Sequence, residues 1–134
     1  MKKNGILNPA LNAGLSRLGE GHLVVIADCG LPLPADGPVV DLSLVRGVPR
    51  FADVLEAVLA ELEIEASFAA TEAGAEVGGW FEAGGLAPVR IEHEELKSML
   101  PQAALIIRTG EATPFANVVL RCGVPVPSAS GQPA

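Results

Sequence analysis

Apolar positions along the chain follow two periods. Leu11, Leu15 and Leu18 recur at spacings of four and three, one face of a helix. Asn8-Pro9 ahead of them is a start signal, with Asn as N-cap and Pro at the first helical position. Gly19 stands where such a helix stops. Leu23 to Ala27 is a short unbroken apolar run, the form of a strand covered on both faces, and a strand is predicted over 23–28. Residues 31–38 are a proline-rich loop, and Val39 to Leu44 reads as a strand with Asp41 inside it. Gly47-Val-Pro49 turns into a helix predicted over 51–62, with Phe51, Val54, Leu55, Val58, Leu59 and Leu62 on one side. Strands follow at 64–70 and 89–91, a helix at 93–100 closed by Pro101, and strands at 104–108 and 118–120. Residues 71–85 are rich in Gly and Glu and match neither period, with Trp80 and Phe81 as anchors to the body. Strands alternating with helices predict one α/β domain over 1–124, with a parallel or mixed sheet and helices on its faces. Residues 125–134 form a Pro/Ser/Gly tail, predicted to be loose.

Composition narrows the function classes. The 134 residues suffice for one domain with a real core. A net charge of -7 without a basic stripe argues against nucleic acid or an anionic membrane as partner. The apolar runs fall well short of the roughly 18–20 residues of a membrane span, and Lys2-Lys3 is not followed by the apolar stretch of a signal peptide. Cys29 and Cys122 form neither a CxxC pair nor a disulfide framework, which suits a reduced, cytoplasmic protein. His22 and His93 lack metal-ligand spacing, so no metal is expected. The hydrophobic fraction of 49% is high for a small chain. It fits either a large oligomer interface or simply an Ala- and Val-rich composition.

Three clusters carry candidate chemistry. Asp28 ends the first apolar strand, where ligands meet α/β sheets. It also suits a turn cap, and both readings stand. Gly19-Glu20-Gly21-His22 lies just before that strand. His93 and Lys97 are four apart and share a helix face, although each is also an ordinary surface residue. Arg108 to Asn117 is a polar loop around Thr113-Pro114, and the Asn117 amide both donates and accepts, which suits sugar hydroxyls. There is no nucleophile motif, phosphate-binding glycine loop or metal cluster. What remains is proton transfer by carboxylate, imidazole and ammonium beside neutral groups that hold a polyol.

Met1-Lys-Lys-Asn-Gly-Ile-Leu-Asn8, Arg17-Leu-Gly19, Val25-Ile-Ala-Asp-Cys-Gly-Leu-Pro32, Asp41-Leu-Ser-Leu44 with Gly47-Val-Pro49, and Arg108-Thr-Gly-Glu-Ala-Thr-Pro-Phe-Ala-Asn117 stand in order along the chain. Together they closely resemble the D-ribose pyranase family, to which fucose mutarotases are related. The resemblance is weakest over 71–88. It implies a three-layer α/β/α fold with a mixed, largely parallel central sheet. It implies interconversion of pyranose and furanose forms of ribose, or of anomers of a related monosaccharide, without metal or organic cofactor. Rings of subunits, pentamers commonly stacked into decamers, are implied too, with the sugar at a subunit boundary. Carried over position by position, Asp28, His93, Lys97, Phe115, Ala116 and Asn117 are the implied sugar contacts.

The chain departs from the family twice. Where the family reads Gly-His-Thr-Asp or Gly-His-Gly-Asp, this chain reads Gly19-Glu-Gly-His22, and Phe115 replaces a Tyr. Glu20 and His22 are therefore the expected catalytic pair, in exchanged order. Two residues apart in extended chain, they are predicted to point to one side. A carboxylate with its ordinary pKa of about 4.3 is a weak base, so Glu20 acting alone needs burial. The alternative is a family member that binds sugar without turnover.

Overall fold

The computed structural model describes residues 1–126. Most of the expected tail lies outside the described residues. The elements are α1 (Pro9–Ser16), β1 (Leu23–Ala27), β2 (Val39–Asp41), α2 (Phe51–Leu59), β3 (Ile64–Ala70), α3 (Ala75–Ala83), β4 (Val89–Ile91), α4 (His93–Met99), β5 (Ala103–Arg108) and β6 (Val118–Cys122). A single 3₁₀ turn, Leu100–Gln102, joins α4 to β5.

The six strands form one sheet in the order β2-β5-β1-β6-β3-β4. β1 pairs parallel with β5, β5 with β2, and β3 with β4, while β6 runs antiparallel to both β1 and β3. Five strands therefore point one way and β6 alone points back. The largely parallel sheet expected from the family resemblance is what the chain forms. Strands β1 and β5 are buried on both faces, which is why they read as continuous apolar runs. Val24, Ile26, Leu105 and Ile107 face one side, with Leu11 and Leu15 of α1, Phe51, Leu55 and Val58 of α2, and Phe81 of α3. Val25, Ala27 and Ile106 face the other, with Leu96 of α4 and Leu100 after it. Three helices cover one face and one helix the other, giving three layers.

Differences from the sequence expectation have local causes. β2 stops at Asp41 because the Asp41 carboxylate accepts from both Ser43 N–H (2.9 Å) and Ser43 Oγ (2.5 Å) and turns the chain. β6 runs on to Cys122, since Leu120 and Cys122 are buried on either side of exposed Arg121. Helix α3 lies within the segment that matched neither period. Only Val77 and Phe81 of it are buried, and Gly78-Gly79 in its middle lowers its helix propensity. Gly78 has a packing reason: a Cβ there would sit 3.3 Å from the Arg90 guanidinium, which lies over the Phe81 ring.

The α1 start behaves as the sequence predicts, with Asn8 Oδ1 accepting from Leu11 N–H at 2.9 Å. Asn8→Ala should lower stability by about 1 kcal/mol in urea unfolding with little change in slope, and an unchanged midpoint would show that the cap is dispensable.

Candidate active site

Strand direction decides where the polar residues gather. The carboxyl ends of β1, β2, β3, β4 and β5 share one edge of the sheet, and β6 starts there. Asp28 follows β1, Ser43 and Arg46 follow β2, Glu72 follows β3, His93 follows β4, and the 109–117 loop joins β5 to β6. Ligands in open α/β sheets meet this edge.

At its centre Asp28 and Asn117 are paired. The Asp28 backbone N–H donates to Asn117 Oδ1 at 2.7 Å, and Asn117 Nδ2 donates to Asp28 Oδ2 at 3.0 Å. The other carboxylate oxygen, Oδ1, accepts from Gly30 N–H at 2.9 Å, closing a turn. Asp28 is thus a turn cap and also part of the wall of a cleft; the two readings hold together. That cleft has a volume of about 420 Å³, within the roughly 300–1,000 Å³ range of small-molecule sites. Its wall includes Asp28, Cys29, Pro32, Arg46, His93 and Phe115. A second groove of about 390 Å³, between α2 and α3, is lined mainly by Leu55, Leu59, Trp80 and alanines and offers little polar chemistry.

The 109–117 loop is tied on three sides. Thr109 donates through N–H and Oγ1 to Ala27 O at 2.9 and 2.8 Å. Cys29 N–H donates to Glu111 O at 2.8 Å. The Glu111 carboxylate, only 7% exposed, accepts from Phe51 N–H (3.0 Å), Thr113 Oγ1 (2.9 Å) and Thr113 N–H (3.3 Å). Burial by itself pushes this carboxyl upward, but hydrogen bonds from Phe51, Thr113 and Ala112 outweigh it and hold the group below the ordinary carboxylate range. Gly110 is required here, because a Cβ would run into the Val45 and Val48 carbonyls of the hairpin that carries Arg46.

Phe115 sits at φ +62°, a conformation that costs a side chain of this kind about 1–3 kcal/mol. It places the ring edge-to-face with His93 at 5.0 Å between centroids and 80° between planes. His93 Nδ1 is enclosed with no hydrogen-bond partner among the described residues, and the imidazole packs on Phe115. The His93 backbone N–H, at the start of α4, donates to both Glu72 oxygens at 3.1 and 3.2 Å. The Thr71 hydroxyl first, then the backbone N–H groups of Glu72 and His93, hold the Glu72 carboxyl low against its desolvation. Arg108 links the neighbouring strand ends, bonding Asp41 Oδ2 at 3.1 Å and Cys29 O at 2.8 Å.

The expected residues divide into three groups. Asp28, His93 and Phe115 meet in the cleft wall. Lys97 pairs with Glu94 at 2.8 Å and does not line the cleft. Ala116 and Asn117 are wholly enclosed behind it, and the Asn117 amide is turned to Asp28. Glu20 and His22 are elsewhere, beyond the amino end of β1, so five strand residues separate them from Asp28. They are not in extended chain, as the period-two argument assumed. Gly21 turns between them at φ +83°, with its N–H bonded to Cys122 O. His22 Nδ1 accepts from Gly19 N–H at 2.9 Å, leaving Nε2 free, and both residues are exposed. Glu20 lines a different groove, with Glu61, Glu63, Cys122 and Val124. Arg46 and Cys29 were not anticipated in the cleft wall, nor Glu111 as the anchor of the loop behind it. The available signal was that Arg46 directly precedes Gly47-Val-Pro49 and that Glu111 lies inside the 108–117 segment. Among the described residues no cluster of His, Cys, Asp and Glu forms a metal site, and no helix is long and apolar enough to cross a membrane.

Comparison with known proteins agrees with this fold. The sequence model of the RbsD / FucU transport protein family matches residues 1–125. D-ribose pyranase of Cutibacterium acnes is 45% identical over 126 residues, covering 93% of this chain and 99% of that protein. D-ribose pyranase of Streptomyces coelicolor is 52% identical over 132 residues, covering 92% and 98%. The structure of Bacillus subtilis RbsD complexed with D-ribose superposes with a TM-score of 0.86 at 40% identity, over 94% of this chain and 100% of that one. Fucose mutarotase from Streptococcus pneumoniae, in complex with L-fucose, shares the fold at a TM-score of 0.74 and 20% identity, over 89% and 94%.

The pairing of Asp28 with Asn117 predicts the behaviour of Asn117→Asp. Two carboxylates then stand together, so one is held above its unfolded pKa, and the stability that depends on its proton is lost as pH rises. Urea unfolding should show a deficit against wild type at pH 7 that shrinks towards pH 4. A deficit independent of pH would show that residue 117 does not face the Asp28 carboxylate.

Proposed function

The chain belongs to the RbsD / FucU transport protein family, and from that premise we propose that it is a sugar isomerase interconverting the pyranose and furanose forms of D-ribose. Relatives at 45% and 52% identity are D-ribose pyranases, aligned over nearly their whole length. The observation that carries the reading is the cleft itself: a carboxylate fixed by Asn117 and an imidazole packed on Phe115 line a space of monosaccharide size. Asp28 and His93 hold the sugar hydroxyls, and the Phe115 ring offers an apolar face to the carbons. Asn117 acts on the sugar through Asp28. Lys97 is a longer-range contact, reaching the sugar if it leaves Glu94.

The chemistry needs two proton movements. A base takes the proton of the anomeric hydroxyl, the ring C–O bond breaks, and an acid protonates the ring oxygen. The open aldehyde then closes through a different hydroxyl. Glu20 and His22 supply these groups, but from a neighbouring copy, because within one chain they lie at the other edge of the sheet. Two features support a head-to-tail ring of copies, pentameric or stacked to a decamer. Leu44, Val45 and Val48 beside the cleft are 76%, 60% and 47% exposed, on a hairpin that also carries Arg46. The far edge carries the groove with Glu20, Glu61 and Glu63, of opposite charge to Arg46. His22 Nε2 is turned away from the Gly19 bond and can meet the ring oxygen, and the exposed Glu20 carboxylate can meet the anomeric hydroxyl. The cysteines are unpaired, which supports a reducing, cytoplasmic setting.

Saturation-transfer NMR of D-ribose tests the proposal. Pure protein should accelerate exchange between pyranose and furanose signals, and Glu20→Gln or His22→Ala should each lower the rate by about 10²–10⁴-fold, the usual contribution of general acid–base groups. Ribose binding by calorimetry with no acceleration over buffer would replace this reading by a sugar-binding protein without turnover.

A further inference from the structure

We propose that Glu111 is a positioning residue of the cleft, an inference that rests on reading the cleft as the sugar site. Helix α2 begins without a cap of its own: Arg50 occupies the N-cap position, and its side chain turns away to Asp53. The first N–H groups of any helix need acceptors from outside. Here the acceptor comes from a residue sixty positions later, Glu111 Oε1, which takes the Phe51 N–H at 3.0 Å. A Ser or Asn at the N-cap would reach the N–H of the second or third helical residue and leave that of Phe51 to an outside acceptor. The second Glu111 oxygen explains why a buried carboxylate stands here. Oε2 takes both the hydroxyl and the N–H of Thr113, and so folds the 111–113 turn back onto α2.

The consequence reaches the cleft by two short routes. Forward along the chain, the pinned turn leads directly into Pro114 and Phe115, the cleft residues next to His93. Phe115 is held at φ +62°, a backbone state that persists only where its surroundings enforce it. Backward, the Glu111 carbonyl accepts the Cys29 N–H, next to Asp28. Glu111 touches no cleft space itself. Its carboxylate makes α2, which buries Phe51, Val54, Leu55 and Val58 in the large core face, the reference against which the Phe115 wall is set. Loss of the carboxylate frees the loop, and the sugar must then order it on binding.

Four proteins test this: wild type, Glu111→Ala, Glu111→Gln and Thr113→Ala. Amide hydrogen exchange at 112–117 and at Cys29 reads the loop without sugar; ribose exchange kinetics read the site. Glu111→Ala should speed loop amide exchange by about tenfold or more and raise KM by a similar factor, while kcat at saturating ribose changes less than about threefold. Thr113→Ala should lie between. Glu111→Gln should lie between wild type and Glu111→Ala, because its amide oxygen still accepts from Phe51 N–H and its NH2 donates to Thr113 Oγ1, while the bond from Thr113 N–H is lost. A kcat that falls with the folded fraction while KM stays constant would reduce Glu111 to a stabilising residue and overturn the proposal. If Glu111→Ala does not fold, Thr113→Ala with wild-type loop exchange overturns it equally. Wild type that neither binds nor isomerises ribose, with the loop still loosened in the variants, would sink the sugar reading and not the anchoring of the loop.

Discussion

Two hydrogen bonds between Asp28 and Asn117 join the end of β1 to the start of β6, and the polar edge of the molecule is arranged around them. β6 is the one strand that runs against the others, so its beginning lies where the parallel strands end. Without that reversal Asn117 would stand at the other edge, and Asp28 would have only its own turn for support. With it, the Asp28 backbone N–H donates to Asn117 Oδ1, and the Asp28 carboxylate accepts from two N–H groups, of Gly30 and of the Asn117 amide. Its direction into the cleft is therefore set before any ligand arrives, which removes an ordering cost from binding.

The same economy of long-range contacts recurs at the helices. Neither α2 nor α4 has a side-chain cap from its own N-cap residue. Glu111 supplies an acceptor to the first, Glu72 to the second, across sixty and twenty-one positions. Each carboxylate belongs to a segment leaving a strand end, so helix starts and cleft loops share their fastenings. A weakened loop is then also a weakened helix, and the cleft edge behaves as one unit.

Sequence and structure part company along the same line. The buried strands were legible because β1 and β5 are covered on both faces and leave no polar alternation to confuse the pattern. α1 was legible because Asn8 caps it locally. α3 was not, since two glycines in its middle and only two buried positions leave no helical stripe. The two remote caps were not legible either, because an acceptor far along the chain leaves no mark at the helix it serves. Motif order identified the family from Asn8, Asp28 and the 108–117 segment. It did not reveal that Asn117 turns to Asp28, or that Gly21 breaks the extended path between Glu20 and His22. Their separation from the cleft is a matter of which end of β1 each residue follows.

The proposed site is divided between copies. One mixture tests it directly: Asp28→Ala protein, whose Glu20 and His22 are intact, co-assembled with protein carrying Glu20→Gln and His22→Ala, whose cleft is intact. Each alone should be nearly inactive. In random assemblies about a quarter of the boundaries join an intact cleft to an intact acid–base pair, so ribose isomerisation should recover to about a quarter of the wild-type rate. A mixture no more active than its separate components would contradict the shared site.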